Sequence, residues 1–335
     1  MDVDSGTILS IRGFDSAPDR AIGGWSRRRK IPRLRIPALD LAPGKCHAVI
    51  GKSGAGKTVL NSLLMGFPVS GTASRPLLES MTWWNGAVRG SESDFVSQMT
   101  ISRCWQRVRH AGALLYLPQI LPDGRGYQMS VRQYLLQVLP ALGRQCQAAT
   151  LFDKTSFDSF PTELSSVLDN SVTQLSGGER RRVELWARLA VLKKLPHDRM
   201  ALLILDEPTT GLDVPDERRY LTELRKELAS LPNLAVVVTT HALYFIDDRT
   251  DGGHGKGEFL FDRVFLVHKE PGGGTPDCRV TPATSAEALC AAVSVRNPEK
   301  SVEDNMEEFV DGQAKLIGDD FTERIQRKYF PGVKT

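Results

Sequence analysis

The clearest chemical signal in the sequence is a glycine-rich segment that could surround phosphate groups. Residues 51–58 read Gly-Lys-Ser-Gly-Ala-Gly-Lys-Thr, which matches the pattern GxxxxGK[ST]. The glycines allow backbone N–H groups to turn toward phosphate oxygens, and a helix beginning after the loop adds its positive dipole end. In this pattern Lys57 would hold the β- and γ-phosphates of a nucleotide, and the Thr58 hydroxyl would hold Mg²⁺. The other predicted nucleotide ligands are the loop residues Gly51, Lys52, Ser53, Gly54, Ala55 and Gly56.

A second candidate site follows the apolar run 202–205, where Asp206 and Glu207 precede Pro208. Carboxylates at the C-terminal end of a buried strand lie where open α/β sheets bind ligands. Asp206 is therefore predicted to hold Mg²⁺, and Glu207 to polarise the attacking water as a general base. The alternative is an Asp-Glu pair that only caps a following helix, which the phosphate-binding segment upstream disfavours.

Hydrophobic patterning predicts the elements that must position these residues. Apolar, β-branched runs at 46–50, 201–205 and 234–240 are typical of parallel strands buried on both faces. The stretch 120–170 shows helical patterns and few strand signals, which predicts a helical subdomain set into an α/β core. The predicted helices are 58–65, 131–139, 180–192 and 215–230.

Composition limits the class of protein. The chain has 335 residues, long enough for one large domain with a subdomain or for two modest domains, and its 41% hydrophobic and 25% charged residues are ordinary for a globular protein. A net charge of +3 is too mild to indicate binding to nucleic acid or anionic lipid. The five cysteines include no CxxC pair, which disfavours a zinc site, and an odd number of cysteines with no recognisable secretion signal is typical of reduced thiols in a cytosolic protein. No apolar run reaches about 18 residues, so we expect no membrane span.

A third segment, together with the order of the motifs, carries a family resemblance. Residues 175–180 read Leu-Ser-Gly-Gly-Glu-Arg, which resembles the LSGGQ signature of the ATP-binding-cassette (ABC) ATPases, with Glu179 replacing the commoner glutamine. Gln119 resembles the Q-loop glutamine of that family. Asp213 resembles the D-loop aspartate, and His241 resembles the switch histidine.

The resemblance implies a fold, a reaction and a partner. The fold is an α/β P-loop NTPase: an ABC nucleotide-binding domain with an α/β core, an antiparallel β subdomain and a helical signature subdomain at about 120–190. That domain would occupy 1–269 and leave 270–335 as a C-terminal extension of unassigned role. Each ATP would be held with Mg²⁺ between two cassettes arranged head to tail, as a homodimer or heterodimer. The signature residues facing the other chain's ATP would be Ser176, Gly177, Gly178 and Glu179. The catalytic residues would be Glu207, His241 and Gln119, and the Mg²⁺ ligands Thr58, Gln119 and Asp206.

Two aromatic residues are candidates for stacking on the adenine. Members of the family usually stack it on a ring some two dozen residues before the phosphate loop. Trp25 lies 26 residues before Gly51 (51 − 25 = 26), and Phe14 ends the first strand-like run, 7–14. Stacking needs only a flat ring, so either could serve; the spacing favours Trp25.

Two functions remain open for such a cassette. A single cassette without a membrane span favours the cytoplasmic subunit of a transporter, peripheral at the membrane and docked on a separate permease chain. The alternative is a soluble ABC ATPase in a nucleic-acid, ribosome, defence or signalling complex; Glu179, the long stretch 191–200 and the glycine-rich segment after His241 keep it open. The sequence lacks a long heptad insert, zinc-binding cysteine pairs and a second motif set. These absences exclude the coiled-coil, excision-repair and fused translation-factor classes. A kinase of small acceptors would not need the signature motif.

Overall fold

The computed structural model of the protein describes residues 7–16, 33–51, 54–66, 78–83, 86–89, 113–119, 129–146, 160–196, 199–210, 212, 214–240, 261–270 and 277–283. The strands are β1 Leu9–Asp15, β2 Arg33–Leu41, β3 Cys46–Gly51, β4 Ser80–Trp83, β5 Gly86–Arg89, β6 Ala113–Leu117, β7 Ala201–Asp206, β8 Leu234–Thr240, β9 Arg263–Glu270 and β10 Asp277–Ala283. The α-helices are α1 Lys57–Leu64, α2 Val131–Gln145, α3 Gly177–Lys193 and α4 Val214–Ala229, with 3₁₀ helices at Thr162–Val167 and Val172–Gln174.

These strands form one mixed sheet in the order β5-β4-β1-β2-β10-β9-β3-β8-β7-β6. Strands β6, β7, β8, β3 and β9 run parallel to their neighbours in that order. Every residue of β7 and β8 is buried. Leu203 and Leu205 pack into the core on the side of α2 and α3, while Leu202 and Ile204 pack on the side of α1. The continuous apolar runs in the sequence are explained by this burial on both faces.

The parallel arrangement brings the carboxyl ends of three strands to one edge of the sheet. Strand β8 lies between β3 and β7, with Thr239 opposite Asp206 on one side and Thr240 opposite Ile50 on the other. The end of β3, at Gly51, therefore lies two strands from Asp206. This edge of the sheet carries both chemical motifs predicted from the sequence.

The antiparallel part of the sheet consists of β1, β2, β4 and β5. In β2, Leu34 and Ile36 are buried, whereas Arg33 and Arg35, which alternate with them, are only partly buried. Arg33 donates to the Asp15 carboxylate of β1 at 2.6 Å. Alternating burial is expected of a sheet with one face on the core.

Strand β10 corrects the predicted domain boundary. It pairs antiparallel with β9 and parallel with β2, and Cys278 and Val280 are fully buried in the core. The boundary predicted at 269 is wrong because it falls within β9, one residue before that strand ends, and excludes β10; the domain continues at least to Ala283. The strand was missed because Arg279, Thr281 and Pro282 leave only two apolar residues in an alternating pattern.

The helical part precedes and includes α3. Helix α2 runs six residues past its predicted end at 139, through Pro140, because Leu135, Leu139 and Leu142 keep one buried face. Its N-cap is Ser130, whose hydroxyl accepts from Gln133 N–H while the Gln133 amide oxygen accepts from Ser130 N–H. Within the described ranges, no helix is both long and apolar enough to cross a membrane.

Candidate nucleotide-binding and catalytic site

The backbone of the phosphate loop is held in a shape that only glycine permits at several positions. Gly54 and Gly56 have φ angles of 74° and 106°, in the left-handed region. A Cβ on Gly51 would lie 2.3 Å from the Val267 carbonyl oxygen, and a Cβ on Gly56 would lie 3.0 Å from Cys278 Sγ. The loop therefore packs against β9 and β10, so the strand missed from the sequence supports the site directly.

Lys57 is the first residue of α1, and its ammonium group lies at the loop. The side chain is buried, and Nζ donates to the Gly51 carbonyl at 2.8 Å and lies 3.4 Å from Glu207 Oε1. Desolvation lowers the pKa of Lys57, and the nearby carboxylates of Glu207 and Asp206 oppose that shift. This places a positive charge between the start of the loop and the acidic pair.

The Asp206 carboxylate is fixed by two hydroxyl groups. It is 3% exposed, Oδ1 accepts from the Thr239 hydroxyl at 2.6 Å, and Oδ2 accepts from the Tyr116 hydroxyl at 2.9 Å. Burial and the adjacent Asp206 raise the pKa of Tyr116, so this hydroxyl keeps its proton at neutral pH. Both carboxylate oxygens are therefore oriented by donors on neighbouring strands.

Glu207 adopts a backbone conformation that is unusual for a residue with a side chain. Its φ is 49°, and its N–H donates to the Thr239 carbonyl at 2.9 Å and to the Thr239 hydroxyl at 3.1 Å. Such a conformation costs on the order of 1–3 kcal/mol and persists where the surroundings impose it. It directs the Glu207 carboxylate toward Lys57, beside the phosphate loop.

The residues at this edge fit a magnesium ion that is shared with phosphate oxygens. Mg²⁺ usually takes one or two carboxylates together with water and phosphate ligands. Asp206 supplies one oriented carboxylate, and Thr58, which is exposed at the start of α1, supplies a hydroxyl. Among the described residues no cluster of three or more His, Cys, Asp or Glu could hold a metal. One oriented carboxylate and one hydroxyl suit an ion whose other ligands are phosphate and water oxygens.

The signature segment forms the N-terminus of α3. The Ser176 hydroxyl accepts from Glu179 N–H at 3.2 Å, and the Glu179 carboxylate accepts from Ser176 N–H at 2.8 Å. This capping box needs glutamate or glutamine at its fourth position, which explains how Glu179 replaces glutamine without loss of the helix start. A Cβ on Gly177 would meet no described atom within 4 Å, whereas one on Gly178 would lie 2.7 Å from Leu212 Cδ2.

Gln119 lies two residues beyond β6, with its side chain exposed. The predicted site residues Lys52, Ser53, Asp213, His241 and Trp25 lie outside the described residues, and their roles stay predictions. Phe14 is 3% exposed and packs in the core with α1, so neither face of its ring is available to a base. The structure thus excludes the alternative adenine-stacking residue.

Three residues at the site were missed from the sequence. Tyr116 and Thr239 orient Asp206, although they lie 90 and 33 positions from it. Arg181 donates to the backbone carbonyls of Thr210 and Gln119, which belong to two separate segments near the acidic motif. A usable signal existed for Thr239, because it is a polar residue near the carboxyl end of an otherwise apolar strand.

Replacement of Tyr116 by phenylalanine tests the orientation of Asp206. The variant removes the donor to Oδ2 and leaves a buried carboxylate oxygen without that partner, which costs roughly 1–3 kcal/mol. We expect a lower free energy of unfolding and about tenfold slower ATP hydrolysis, because one tenfold step corresponds to about 1.4 kcal/mol. Urea denaturation and phosphate-release assays measure the two effects. Tyr134→Phe is a suitable control, because that hydroxyl donates to Glu184, away from this edge; equal losses of hydrolysis would contradict the role of Tyr116.

A phosphate loop and an acidic pair at the carboxyl edge of this sheet define a P-loop NTPase, and the capped signature helix defines the ABC class. The family model described as ABC transporter matches residues 34–210, and the chain belongs to this family. It is an ATP-binding protein and an ATPase.

The chain is similar to known ATP-binding subunits. It is 30% identical over 216 residues to the hemin import ATP-binding protein HmuV of Shewanella denitrificans, covering 63% of this chain and 73% of that one. A putative metal-chelate type ABC transporter in an inward-facing conformation aligns with a TM-score of 0.51 at 18% identity, over 85% of this chain and 88% of that one. The archaeal ribosome recycling factor aABCE1 aligns with a TM-score of 0.51 at 19% identity, over 93% and 49%. Both structural alignments show the fold.

Proposed function

We propose that this chain is an ATP-hydrolysing subunit that pairs head to tail with a second cassette and drives a conformational cycle in a membrane permease. The observation that carries the proposal is the grouping of Lys57, Asp206 and Glu207 at one sheet edge, together with a capped signature helix on which a Cβ at Gly177 would meet no described atom within 4 Å. The similarity to HmuV, a hemin import ATP-binding protein, supports a transport role.

In the proposed reaction, Lys57 and the N–H groups of the loop and α1 hold the β- and γ-phosphates of ATP. A water oxygen attacks the γ-phosphorus, the bond from that phosphorus to the bridging oxygen breaks, and ADP leaves. Glu207 accepts the proton of the attacking water. Mg²⁺, when bound, neutralises charge on the β- and γ-phosphate oxygens; Thr58, Asp206 and Gln119 would hold it.

The signature residues are proposed to complete the site of a second chain. Ser176 and the following N–H groups form a helix N-terminus, which attracts anions. The position that a Cβ on Gly177 would take, where it would meet no described atom of another segment within 4 Å, faces the space in which the partner's γ-phosphate would lie. Asp213 is proposed to contact the partner chain, and His241 the γ-phosphate. Trp25 is proposed to stack on the adenine.

Complementation between two inactive variants tests the shared site. Gly177→Glu adds bulk and negative charge where the partner's phosphate would lie, while an acidic residue in the first turn suits the helix dipole. We expect this variant and Lys57→Ala each to be inactive alone, because every site of either homodimer lacks an intact loop or an intact signature. A mixture of the two should recover ATP hydrolysis, because one of its two sites combines an intact loop with an intact signature.

Light scattering with ATP provides the control for that experiment, because it reports whether the variants pair at all. Dimers without recovered activity in the mixture would contradict a site shared between two chains. Activity of Gly177→Glu alone at the wild-type rate would contradict the proposed place of the phosphate.

The membrane partner is tested by fractionation of native cells and mass spectrometry of co-purifying chains. Recovery with a multi-span membrane protein is expected and would place the chain at the cytoplasmic face of the membrane. Recovery with ribosomes, nucleic acid or a soluble effector would contradict the transport role and leave the ATPase chemistry intact.

A further inference from the structure

One buried arginine on the signature helix contacts two separate loops of the site. Arg181 is 6% exposed; its Nε donates to the Thr210 carbonyl at 3.1 Å, and its Nη2 donates to the Gln119 carbonyl. These two nitrogens form one edge of the planar guanidinium group. A single rigid edge therefore sets the distance between the two carbonyl groups.

Each of these carbonyl groups belongs to a segment with a predicted role in hydrolysis. Gln119 follows β6 and resembles the Q-loop glutamine of the family. Thr210 lies in a turn that follows the acidic motif. In this turn Thr210 N–H donates to the Glu207 carbonyl at 3.1 Å, and Leu212 N–H donates to the Thr209 carbonyl at 3.0 Å. The position of Thr210 is thus linked through hydrogen bonds to the backbone of Glu207.

A second contact joins the same turn to the start of the same helix. The Leu212 side chain lies against Gly178, so closely that a Cβ there would be 2.7 Å from Leu212 Cδ2. The N-terminal turns of α3 therefore contact the 207–212 segment at two places, and they contact the Gln119 segment through Arg181.

We propose that Arg181 is a positioning residue that makes the signature helix, the Gln119 segment and the 207–212 segment move as one unit during ATP hydrolysis. Lysine in its place would keep the buried positive charge but would carry all donors on one nitrogen. Such a side chain cannot hold two carbonyl groups along one planar edge. The inference rests on the ATPase activity of the family and on the proposed roles of Gln119 and Glu207, and is independent of the membrane partner.

Arg188 provides a matched control, because it is a buried arginine two turns further along α3. Its Nε donates to the Tyr116 carbonyl at 2.7 Å, and its Nη1 donates to the carbonyl and carboxylate of Glu184, each at 2.8 Å. It thus braces the same strand, β6, through a backbone carbonyl. None of its hydrogen bonds reaches the 207–212 segment in the described part of the chain.

The test compares Arg181→Lys with Arg188→Lys in the full-length protein. For Arg181→Lys we expect kcat to fall about tenfold or more, while the Kd for ATP changes by less than about twofold, since the phosphate ligands are untouched. We expect both variants to lower Tm by similar amounts, because each disturbs a buried arginine. For Arg188→Lys, however, we expect kcat to stay within about threefold of the wild-type value. A kcat loss in Arg181→Lys no larger than in Arg188→Lys would overturn the proposal, as would a rise in Kd that accounts for the whole loss.

Leu212→Ala gives a second measurement that does not depend on how well Arg181→Lys folds. It shortens the side chain at the other contact, so alone it should lower kcat with little change in ATP affinity. Combined with Arg181→Lys, it should lower kcat by less than the product of the two single effects, because both changes break the same unit. Multiplicative effects, or an unchanged kcat in Leu212→Ala, would overturn the proposal. Each kcat and Kd is compared with the wild-type value, so the test does not depend on the proposed head-to-tail pairing. A failure of that pairing would be detected separately, as a monomeric mass of the wild-type protein in the presence of ATP.

Discussion

Replacement of Glu207 by glutamine is expected to preserve ATP binding and to slow hydrolysis by roughly 100-fold or more, the range for loss of a positioned general base. The glutamine side chain has nearly the same shape as glutamate, so it fits the position near Lys57 where the Glu207 side chain is 11% exposed. Its neutral amide cannot accept the proton of an attacking water. Lys57 keeps its hydrogen bond to the Gly51 carbonyl, so the phosphate loop keeps its charge. Phosphate release and equilibrium ATP binding, measured on the same preparation, separate the two effects.

Glu227→Gln is the matched control for this experiment. Glu227 is a half-exposed residue on α4 that pairs with Lys193, away from the carboxyl edge of the sheet. The same change of charge there should leave hydrolysis at the wild-type rate. Wild-type turnover in Glu207→Gln would refute its assignment as the general base, and accumulation of an ATP-bound dimer in that variant would support head-to-tail pairing.

Replacement of Lys57 by alanine is expected to weaken ATP binding by about 30-fold or more. Removing one partner of a close, buried charge contact costs about 2–5 kcal/mol, and 2 kcal/mol corresponds to that factor. The change also leaves the carboxylates of Asp206 and Glu207 without the positive charge beside them, so they repel phosphate more strongly. Titration with a fluorescent ATP analogue measures the affinity.

Lys45→Ala separates a local effect from a general loss of positive charge. Lys45 directly precedes β3, the strand that leads into the phosphate loop, but its half-exposed ammonium group pairs with Asp262 at 3.0 Å. Its removal should leave ATP affinity within about twofold, because exposed ion pairs contribute little. An unchanged affinity in Lys57→Ala would show that another group holds the phosphates.

The capped start of α3 shows what local sequence can specify. Ser176 and Glu179 are three positions apart and satisfy each other's backbone N–H groups, so the helix start follows from residue types and spacing alone. The buried strands and the phosphate loop can also be predicted from local sequence, because each is recognised from residues that are close together in the chain. For this reason the class of protein and its chemistry could be predicted from short motifs and their order.

The support of Asp206 shows what local sequence could not specify. Tyr116 and Thr239 reach it only because β6, β7 and β8 lie side by side, and strand order is decided by packing across the whole sheet. Strand β10 was missed for the same reason: its two buried residues become informative only once β9 and β2 flank it. The bridge made by Arg181 also joins segments far apart in sequence. The sequence by itself thus determined the class of protein and predicted which residues perform the chemistry, whereas the tertiary structure decided which groups orient Asp206, because long-range pairing leaves no periodic signal in the chain.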